Sequence, residues 1–300
     1  MRFVGHSLIA TLVLIGTTNH ELSAQNVVET LTEHIESGSG GMNVDAAGNI
    51  YAADFGYDLS GPKPGTKVFR ITPEGEVSVF ASGFHGASGN AFDSKGNLFQ
   101  SNIRAGTVSK ITPDGSVSEF TTGLNGPVGI SIDPDDNLFV ANCRGFVTKT
   151  TPDGQTSRFS TSDLYKCPNG ITLASDGNLY VANFGNGDVI KIDPEGNASR
   201  FATIRGNNNG HILFANGVLY VVARSAHQIY ELSLDGDLTL LAGSGKRGLT
   251  DGPALEAELS LTNDIAVSTD GRTLYFNDVV HQEGDQILSP IVIRKLILAD

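Results

Sequence analysis

Residues 93–142 read DSKGNLFQSNIRAGTVSKITPDGSVSEFTTGLNGPVGISIDPDDNLFVAN, and this stretch decides the fold. Its apolar-aromatic pair Leu98-Phe99 returns as Leu138-Phe139, and the turn sequence Pro113-Asp114-Gly115 lies between the two copies. Apolar and polar residues alternate around these positions, as in residues 129–133, which is the pattern of half-buried strands. Pro-Asp-Gly supplies the backbone dihedral angles that tight hairpins need. The stretch therefore predicts short antiparallel strands joined by tight turns.

The same unit repeats along the whole chain. Its apolar-aromatic pair occurs at six places: Ile50-Tyr51, Leu98-Phe99, Leu138-Phe139, Leu179-Tyr180, Leu219-Tyr220 and Leu274-Tyr275. Three of the intervals are 40 or 41 residues, and insertions around residues 57–65 and 243–259 lengthen the first and the last. Four short strands in about 40 residues are the content of one β-propeller blade. We therefore predict an all-β, six-bladed β-propeller of four-stranded antiparallel blades.

The N-terminal segment is predicted to close the ring. The sixth unit begins at Asn263 and lacks an outer strand. Residues 27–34 resemble the outer strands predicted at 77–81 and 117–121, so we expect them to complete the last blade. This pairing would remove two exposed sheet edges. The propeller is accordingly predicted as a single domain that spans residues 25–300.

Residues 1–24 have the layout of a secretory signal peptide. Arg2 precedes the apolar run 8–15, and the small residue Ala24 precedes the expected cleavage point. The run is too short for a membrane-spanning helix, and we expect no later segment to cross a bilayer. These features predict a secreted or periplasmic protein.

The charge balance argues against one class of partner. The sequence has 20 basic and 33 acidic residues and a formal net charge of -13 at pH 7. Such a surface repels phosphate backbones, so nucleic-acid binding is not expected. We expect a monomer whose partner is a small-molecule substrate, or an extracellular ligand, on one face of the propeller.

The two cysteines are predicted to lie near each other. Cys143 follows the second strand of the third blade, and Cys167 lies in the loop that enters the fourth blade. Both positions belong to the same face of adjacent blades. An oxidising compartment favours a disulfide between them, and two free thiols are the alternative.

Two segments carry a family resemblance. Pro168-Asn169-Gly170-Ile171 matches the start of an inner strand in gluconolactonases, and Asp251-Gly252-Pro253-Ala254 follows the pattern between blades of NHL repeats. Over residues 27–300 the chain resembles the calcium-dependent six-bladed propellers: the gluconolactonase/regucalcin family, paraoxonase-like lactonases and strictosidine-synthase-like proteins. It also resembles streptogramin lyases. One such fold hosts lactonases, lyases and pure binding modules, so the resemblance implies the fold more strongly than the activity.

The resemblance also implies a calcium site at the mouth of the central channel. The aligned inner-strand starts are Gly40, Ser88, Val128, Asn169, Asn209 and Asn263. In the lactonase families such positions supply calcium ligands, one of them a glutamate, and here Gly40 occupies the glutamate's position. The predicted Ca²⁺ ligands are Asn169, Asn209 and Asn263, with Asp54 as a fourth. The alternative is a structural role, because asparagine also favours turns.

The ends of the second strands form another predicted ring of polar side chains. Asn102, Asn142 and Asn183 are predicted to bind substrate there, together with the nearby Arg104 and Arg144. Arginine side chains suit carboxylate or sulfate groups because their fork donates two parallel hydrogen bonds. Pairing of these arginines with the abundant local acids is the alternative.

Catalytic acids and bases are predicted among the histidines of the same face. His211 and the pair formed by His281 and Asp278 are the candidates, because imidazole titrates near neutral pH. Any platform for stacking a sugar must use aromatic side chains other than tryptophan, which the chain lacks. The candidates for that platform are Phe55, Tyr57, Phe84, Tyr165 and Phe184.

The first function predicted from these residues is a metal-assisted hydrolase of the lactonase type, resembling gluconolactonases. It would act on a small lactone or ester, including one that carries an anionic group, with the metal polarising the carbonyl. One alternative is a non-catalytic NHL-like module that binds a protein, peptide or glycan. The other alternative is a lyase that resembles streptogramin lyases.

Overall fold

The computed structural model describes residues 25–284 and 286–299, so the predicted signal peptide lies outside the described residues. In the described residues the chain forms strands β1–β25 and one short 3-10 helix, Arg224–Ala226. The strands build six separate sheets. The described part contains no helix with the length and hydropathy needed to span a bilayer.

Blades 1 to 5 are four-stranded antiparallel sheets whose strands follow chain order from the channel outwards. Blade 1 contains β2 (Met42–Val44), β3 (Ile50–Ala53), β4 (Lys67–Ile71) and β5 (Val77–Ser82). Blade 2 contains β6 (Ala87–Phe92), β7 (Leu98–Asn102), β8 (Thr107–Ile111) and β9 (Val117–Thr121). Blade 3 contains β10 (Pro127–Ile132), β11 (Leu138–Asn142), β12 (Phe146–Thr150) and β13 (Thr156–Thr161).

The remaining blades follow the same plan. Blade 4 contains β14 (Pro168–Leu173), β15 (Leu179–Asn183), β16 (Asp188–Ile192) and β17 (Ala198–Thr203). Blade 5 contains β18 (Ile212–Ala215), β19 (Val218–Ala223), β20 (Gln228–Leu232) and β21 (Leu238–Ala242). Blade 6 contains β23 (Ile265–Val267), β24 (Thr273–Val279) and β25 (Ile291–Ile297), together with β1 (Val27–Thr30) and β22 (Gly252–Pro253). The prediction of an all-β propeller with six blades is confirmed.

The first strand closes the ring, as predicted. β1 pairs antiparallel with β25 in a register that sets Val27 opposite Ile297 and Thr30 opposite Arg294. The paired strand is shorter than the predicted segment 27–34, although Ile35 still forms an isolated bridge with Ile291. The short strand β22 pairs with the other side of β1, which gives blade 6 a fifth strand. Pairing on both sides covers the edges that β1 and β25 would otherwise expose.

The repeated apolar-aromatic pair builds the core between blades. Its first member is fully buried in five copies and 3% exposed in the sixth, Leu179. In four blades the second member packs edge to face against an aromatic ring of the outermost strand. These ring pairs are Tyr51–Phe80, Phe99–Phe120, Phe139–Phe159 and Tyr180–Phe201. The repeat therefore specifies the second strand of each blade and, in four blades, the packing of its aromatic ring against the outermost strand.

Five glycines allow the inner strands to approach one another near the start of the channel. They occupy the position directly after the aligned strand starts: Gly41, Gly89, Gly129, Gly170 and Gly210. A Cβ atom on any of them would lie only 2.2–2.6 Å from the backbone of the next blade. Asp264 holds the sixth equivalent position. We call these six residues the inner ring.

Candidate functional site

A pocket opens at the mouth of the channel, on the face where the inner strands begin. Its cavity volume is about 260 Å³. Four of the aligned strand starts line it: Ser88, Val128, Asn169 and Asn263. The sequence therefore predicted correctly that these positions from different blades meet at one place. We call this cavity the mouth pocket.

Apolar side chains from four loops form most of the wall of the mouth pocket. The lining includes Phe55, Leu59, Ile103, Phe184 and Leu288. Two of the five aromatic residues predicted as platforms, Phe55 and Phe184, are thus in the pocket. Phe84 and Tyr165 are instead buried in the core, and Tyr57 is 58% exposed.

One side of the mouth pocket is built by pairing two loops that are distant in the chain. The amide N–H of Leu59 donates to the carbonyl of Gln286, and the N–H of Leu288 donates to the carbonyl of Tyr57, both over 2.9 Å. The first loop is the insertion that spacing predicted around residues 57–65. Blades 1 and 6 therefore share this wall.

A disulfide forms another part of the wall. Cys143 and Cys167 are bonded, which confirms the predicted bridge, and both residues line the mouth pocket. The carbonyl oxygen of Cys167 accepts a hydrogen bond of 2.9 Å from the N–H of Phe184. The bridged loop therefore also fixes the backbone that carries one of the lining aromatic rings.

The polar groups of the mouth pocket are few. Within the described residues, Nδ2 of Asn169 and Oγ of Ser39 are buried and have no hydrogen-bond partner. Nδ2 of Asn263 donates to the carbonyl of Ser39 over 2.9 Å. The buried Arg224 also lines the pocket, and its Nη1 donates to the carbonyl of Leu261 over 2.7 Å. An amide such as Asn169 can both donate to and accept from a ligand.

The four predicted calcium ligands do not form one ligand set. Asn169 and Asn263 line the mouth pocket. Asn209 and Asp54 do not line it. Nδ2 of Asn209 donates to the carbonyl of Asp188 and Oδ2 of Asp54 accepts from the N–H of Thr66, while Oδ1 of each is buried without a partner in the described residues. In the described residues no group of three or more His, Cys, Asp or Glu side chains is arranged to hold a metal ion. Calcium favours six to eight oxygens with several negative charges, so these residues do not fit it as they lie, and calcium binding stays a prediction.

The three asparagines predicted to bind substrate hold loops in place. Each Oδ1 accepts a backbone N–H from 17 residues earlier: Asn102 from His85, Asn142 from Asn125 and Asn183 from Lys166. Their distances are 3.1–3.3 Å. These amides therefore hold the preceding loops against the ends of the second strands of blades 2, 3 and 4.

Arg104 and Arg144, predicted to bind substrate beside these asparagines, are exposed. The arginine that lines the mouth pocket is Arg224, from the corresponding loop of blade 5. Spacing placed Arg104 and Arg144 beside the strand ends, and Arg224 follows the equivalent strand end in blade 5. Spacing did not distinguish the one whose side chain turns inwards, because that depends on the 3-10 turn at Arg224–Ala226.

Asp278, predicted as a catalytic acid, lies in a buried ion pair. Its carboxylate is 3.0 Å from Nη1 of Arg294, and both side chains are fully buried. The N–H of Ser260 donates to both of its oxygens over 2.9 and 3.0 Å. Burial raises the pKa of Asp278 to about 6, and the charge of Arg294 opposes that rise. Asp278 is therefore engaged with Arg294 and Ser260 rather than with His281, which is only partly buried.

His211 lies with Asp264 in a second cavity further along the channel. This channel cavity has a volume of about 240 Å³ and is lined by the inner strands of all six blades. Nδ1 of His211 is 3.2 Å from Oδ2 of Asp264. Oδ2 also accepts the N–H of Met42, and Oδ1 accepts the N–H of Ile265, both over 2.7 Å. Burial raises the pKa of Asp264, and the nearby His211 acts in the opposite direction.

The structure thus divides the three predicted catalytic residues among a channel cavity, a buried ion pair and a loop. Sequence reasoning did not identify the pairing of His211 with Asp264. The signal was present, because five of the six inner-ring positions are glycine and the sixth is an aspartate. An aspartate at a position that is glycine in the other five blades indicates that the inner strands are far enough apart at that point to hold one side chain.

Six antiparallel blades around a channel, with a pocket at its mouth, define a propeller protein of a class that includes both enzymes and binding modules. The model of the virginiamycin B lyase family matches residues 63–244. The chain therefore belongs to the virginiamycin B lyase family. A search of curated protein sequences found no match.

Solved structures show the same fold at low identity. A streptogramin B lyase structure is 16% identical, covers 91% of this chain and 98% of its own, and has a TM-score of 0.66. The virginiamycin B lyase from Staphylococcus aureus is 17% identical, with coverages of 91% and 100% and a TM-score of 0.62. A gluconolactonase from Xanthomonas campestris is 16% identical, with coverages of 90% and 89% and a TM-score of 0.68. At such identities the likeness establishes the propeller, as the resemblance predicted, and leaves the activity open.

Proposed function

We propose that this protein binds a small, largely apolar ester or lactone in the mouth pocket. The observation that carries the proposal is the composition of the wall, where aromatic and aliphatic side chains surround the single amide of Asn169 that lacks a fixed partner. Such a pocket fits a ligand with an apolar body and one carbonyl group, since apolar area supplies affinity and one polar contact fixes orientation.

The residues that line the mouth pocket favour binding without catalysis. Among the described lining residues the titratable side chain is Arg224, and the two cysteines are oxidised to a disulfide. A general base must reach the proton that it removes, directly or through one water. His211 lies in the channel cavity, Asp278 lies in its ion pair and His281 lies in a loop, so none of the three lines the mouth pocket.

A second candidate is cleavage of the bound ester, and family membership favours it. One solved propeller is a catalytically inactive virginiamycin B lyase from Staphylococcus aureus with quinupristin, 16% identical over 91% of this chain and 100% of its own, with a TM-score of 0.59. In this chain His281 belongs to the loop that carries Leu288 into the pocket wall. We propose His281 as the base if a substrate is cleaved. The lactonase predicted from sequence would need a calcium site. The four residues predicted as its ligands do not lie around one point in this structure.

We propose that the protein works outside the cytoplasm. Its two cysteines form a bridge, and disulfides persist in oxidising compartments.

The test compares δ-decalactone, an apolar lactone, with glucono-1,5-lactone, a polar one, by isothermal titration calorimetry. We expect saturable binding of δ-decalactone, weak or no binding of glucono-1,5-lactone, and a loss of about tenfold or more in affinity for Phe184→Ala, because a buried aromatic ring contributes roughly 1.5–3 kcal/mol. Val79→Ala, on the exposed outer edge of blade 1, is the control and should bind like the wild type.

Chromatography of δ-decalactone after incubation separates the two candidates. Intact ligand supports a binding protein, whereas a product that is lost in His281→Ala supports an enzyme. A product whose formation stops with EDTA would support the metal-assisted hydrolase instead. Preference for the polar lactone would contradict the proposed function in any form.

A further inference from the structure

The channel cavity is separate from the mouth pocket and has a different chemistry. On each inner strand its lining residues follow those of the mouth pocket, so it lies further towards the opposite face. Its described polar lining comes from Asn43, Asn90, Ser131, Thr172, His211 and Asp264. The titratable residues among these are His211 and Asp264, so the lining contains one carboxylate and no lysine or arginine.

Two of these polar side chains join neighbouring blades and are already satisfied. Oγ of Ser131 accepts the N–H of Leu173, and Oγ1 of Thr172 accepts the N–H of Phe214, both over 3.0 Å. They hold the inner strands of blades 3, 4 and 5 together. These hydroxyls therefore need no ligand.

His211 and Asn90 differ, because each keeps one polar atom without a partner. Both are only 5% exposed, and in the described residues Nε2 of His211 and Oδ1 of Asn90 are buried without a hydrogen bond. A buried polar atom without a partner costs roughly 1–3 kcal/mol, so such atoms call for an explanation.

The partners of the neighbouring atoms leave Oδ1 of Asn90 as an acceptor, and Nε2 of His211 is an acceptor in the neutral tautomer whose Nδ1 carries the hydrogen. Nδ2 of Asn90 donates to the carbonyl of Gly41 over 3.3 Å and to Oε1 of Gln100 over 3.4 Å, which leaves Oδ1 as the unused side of the amide. When Nδ1 of His211 donates its hydrogen to Asp264, Nε2 of the neutral ring carries a lone pair. The cavity wall then holds two acceptors beside the carboxyl group of Asp264.

We propose that the channel cavity is a second binding site, for a small ammonium-type cation such as ammonium or a primary alkylammonium. Its N–H groups donate to Nε2 of His211 and Oδ1 of Asn90, and Asp264 balances its charge. The aliphatic lining, which includes Ile130, Ile171 and Ile212, accommodates a short alkyl group. A ligand of this chemistry supplies the hydrogen-bond donors that the two acceptors lack, which an anion or an ether oxygen cannot do.

The test compares a cation that has N–H groups with one that has none. Methylammonium chloride and tetramethylammonium chloride are titrated at equal ionic strength into the full chain, and the ¹⁵N resonances of the His211 ring are followed. We expect a saturable shift with methylammonium and no saturable shift with tetramethylammonium, which has a charge but no donor. The His211 signals are assigned by their loss in His211→Phe.

A pair of variants tests the second acceptor. Asn90→Leu should weaken methylammonium binding about tenfold or more, because a hydrogen bond to a charged group contributes roughly 1.5–3 kcal/mol. Asn125→Leu, in an exposed loop at the opposite end of the channel, is the control and should leave the affinity unchanged.

Three results would overturn the proposal: equal shifts with both cations, no shift with either, or wild-type affinity in Asn90→Leu. The second result would mean that water alone fills the cavity. If Asn90→Leu does not fold, the comparison of the two cations on the unmodified protein still decides.

Discussion

Asp264 joins three blades through one carboxylate. It belongs to blade 6, accepts the backbone N–H of Met42 in blade 1 and contacts the ring of His211 in blade 5. Its position in the inner ring is occupied by glycine in the other five blades. The side chain therefore stands where adjacent inner strands otherwise touch directly, and it replaces that backbone contact by hydrogen bonds.

Asp278 illustrates how a residue with the type and position of a catalytic acid can be structural. Replacement by asparagine would remove the buried carboxylate beside the fully buried Arg294 and leave it the exposed carboxylate of Asp251. Because breaking one half of a buried ion pair costs about 3–5 kcal/mol, we expect Asp278→Asn to lower the free energy of unfolding by that amount. Urea denaturation at pH 7 measures it.

Asp235→Asn provides the matched control, since Asp235 is exposed in a hairpin turn and its loss should change stability by less than about 0.5 kcal/mol. Wild-type stability of Asp278→Asn together with altered ligand turnover would show that Asp278 is catalytic after all.

At the level of elements, the strand repeat could be predicted because it rests on local chemistry. Alternating residues, Pro-Asp-Gly turns and the spacing of the apolar-aromatic pairs together specify the number, order and direction of the strands. The closing strand could be predicted for the same reason, since β1 repeats the pattern of the other outer strands. The end of β1 at Thr30 could not be predicted, because residues 31–35 follow β25 through isolated hydrogen bonds and one bridge at Ile35 rather than a regular ladder.

The contribution of β1 can be measured by placing a charge in its buried position. Val28 is fully buried and packs in one cluster with Leu296 and Ala254. Val28→Asp would place an unpaired carboxylate in that cluster, so we expect a loss of at least about 3 kcal/mol in the free energy of unfolding, measured by urea denaturation.

The neighbouring residue offers a control for this strand. Glu29 forms an exposed ion pair with Lys295 over 2.9 Å, and Glu29→Gln should cost at most about 1 kcal/mol. Equal effects of the two substitutions would mean that β1 lies on the surface and does not close the ring.

At the level of the whole molecule, the mouth pocket could be predicted in position but not in chemistry. Alignment of the strand starts brought Asn169 and Asn263 to one place, as found. The apolar walls come from loops whose contacts join distant parts of the chain, and the turn of Arg224 into the pocket depends on one short helical turn. Spacing along the sequence carries no information on such contacts.

The disulfide should stabilise the whole domain through its effect on the unfolded chain. It joins residues that are 24 positions apart, so closing this loop contributes about 3 kcal/mol. We expect the double variant Cys143→Ser, Cys167→Ser to be less stable by that amount in urea denaturation. Reductant should lower the stability of the wild type to a similar value and leave the double variant unchanged; a reductant effect on the double variant would contradict this assignment.

The pairing of Leu59 with Gln286 has a consequence for protein synthesis. One half of that pocket wall leaves the ribosome early, and the other half leaves it only after the residues between 59 and 286 have been made. A nascent chain can thus complete several blades while it still has no competent binding site. On the proposed function, a chain that terminates anywhere before residue 286 should therefore fail to bind the ligand.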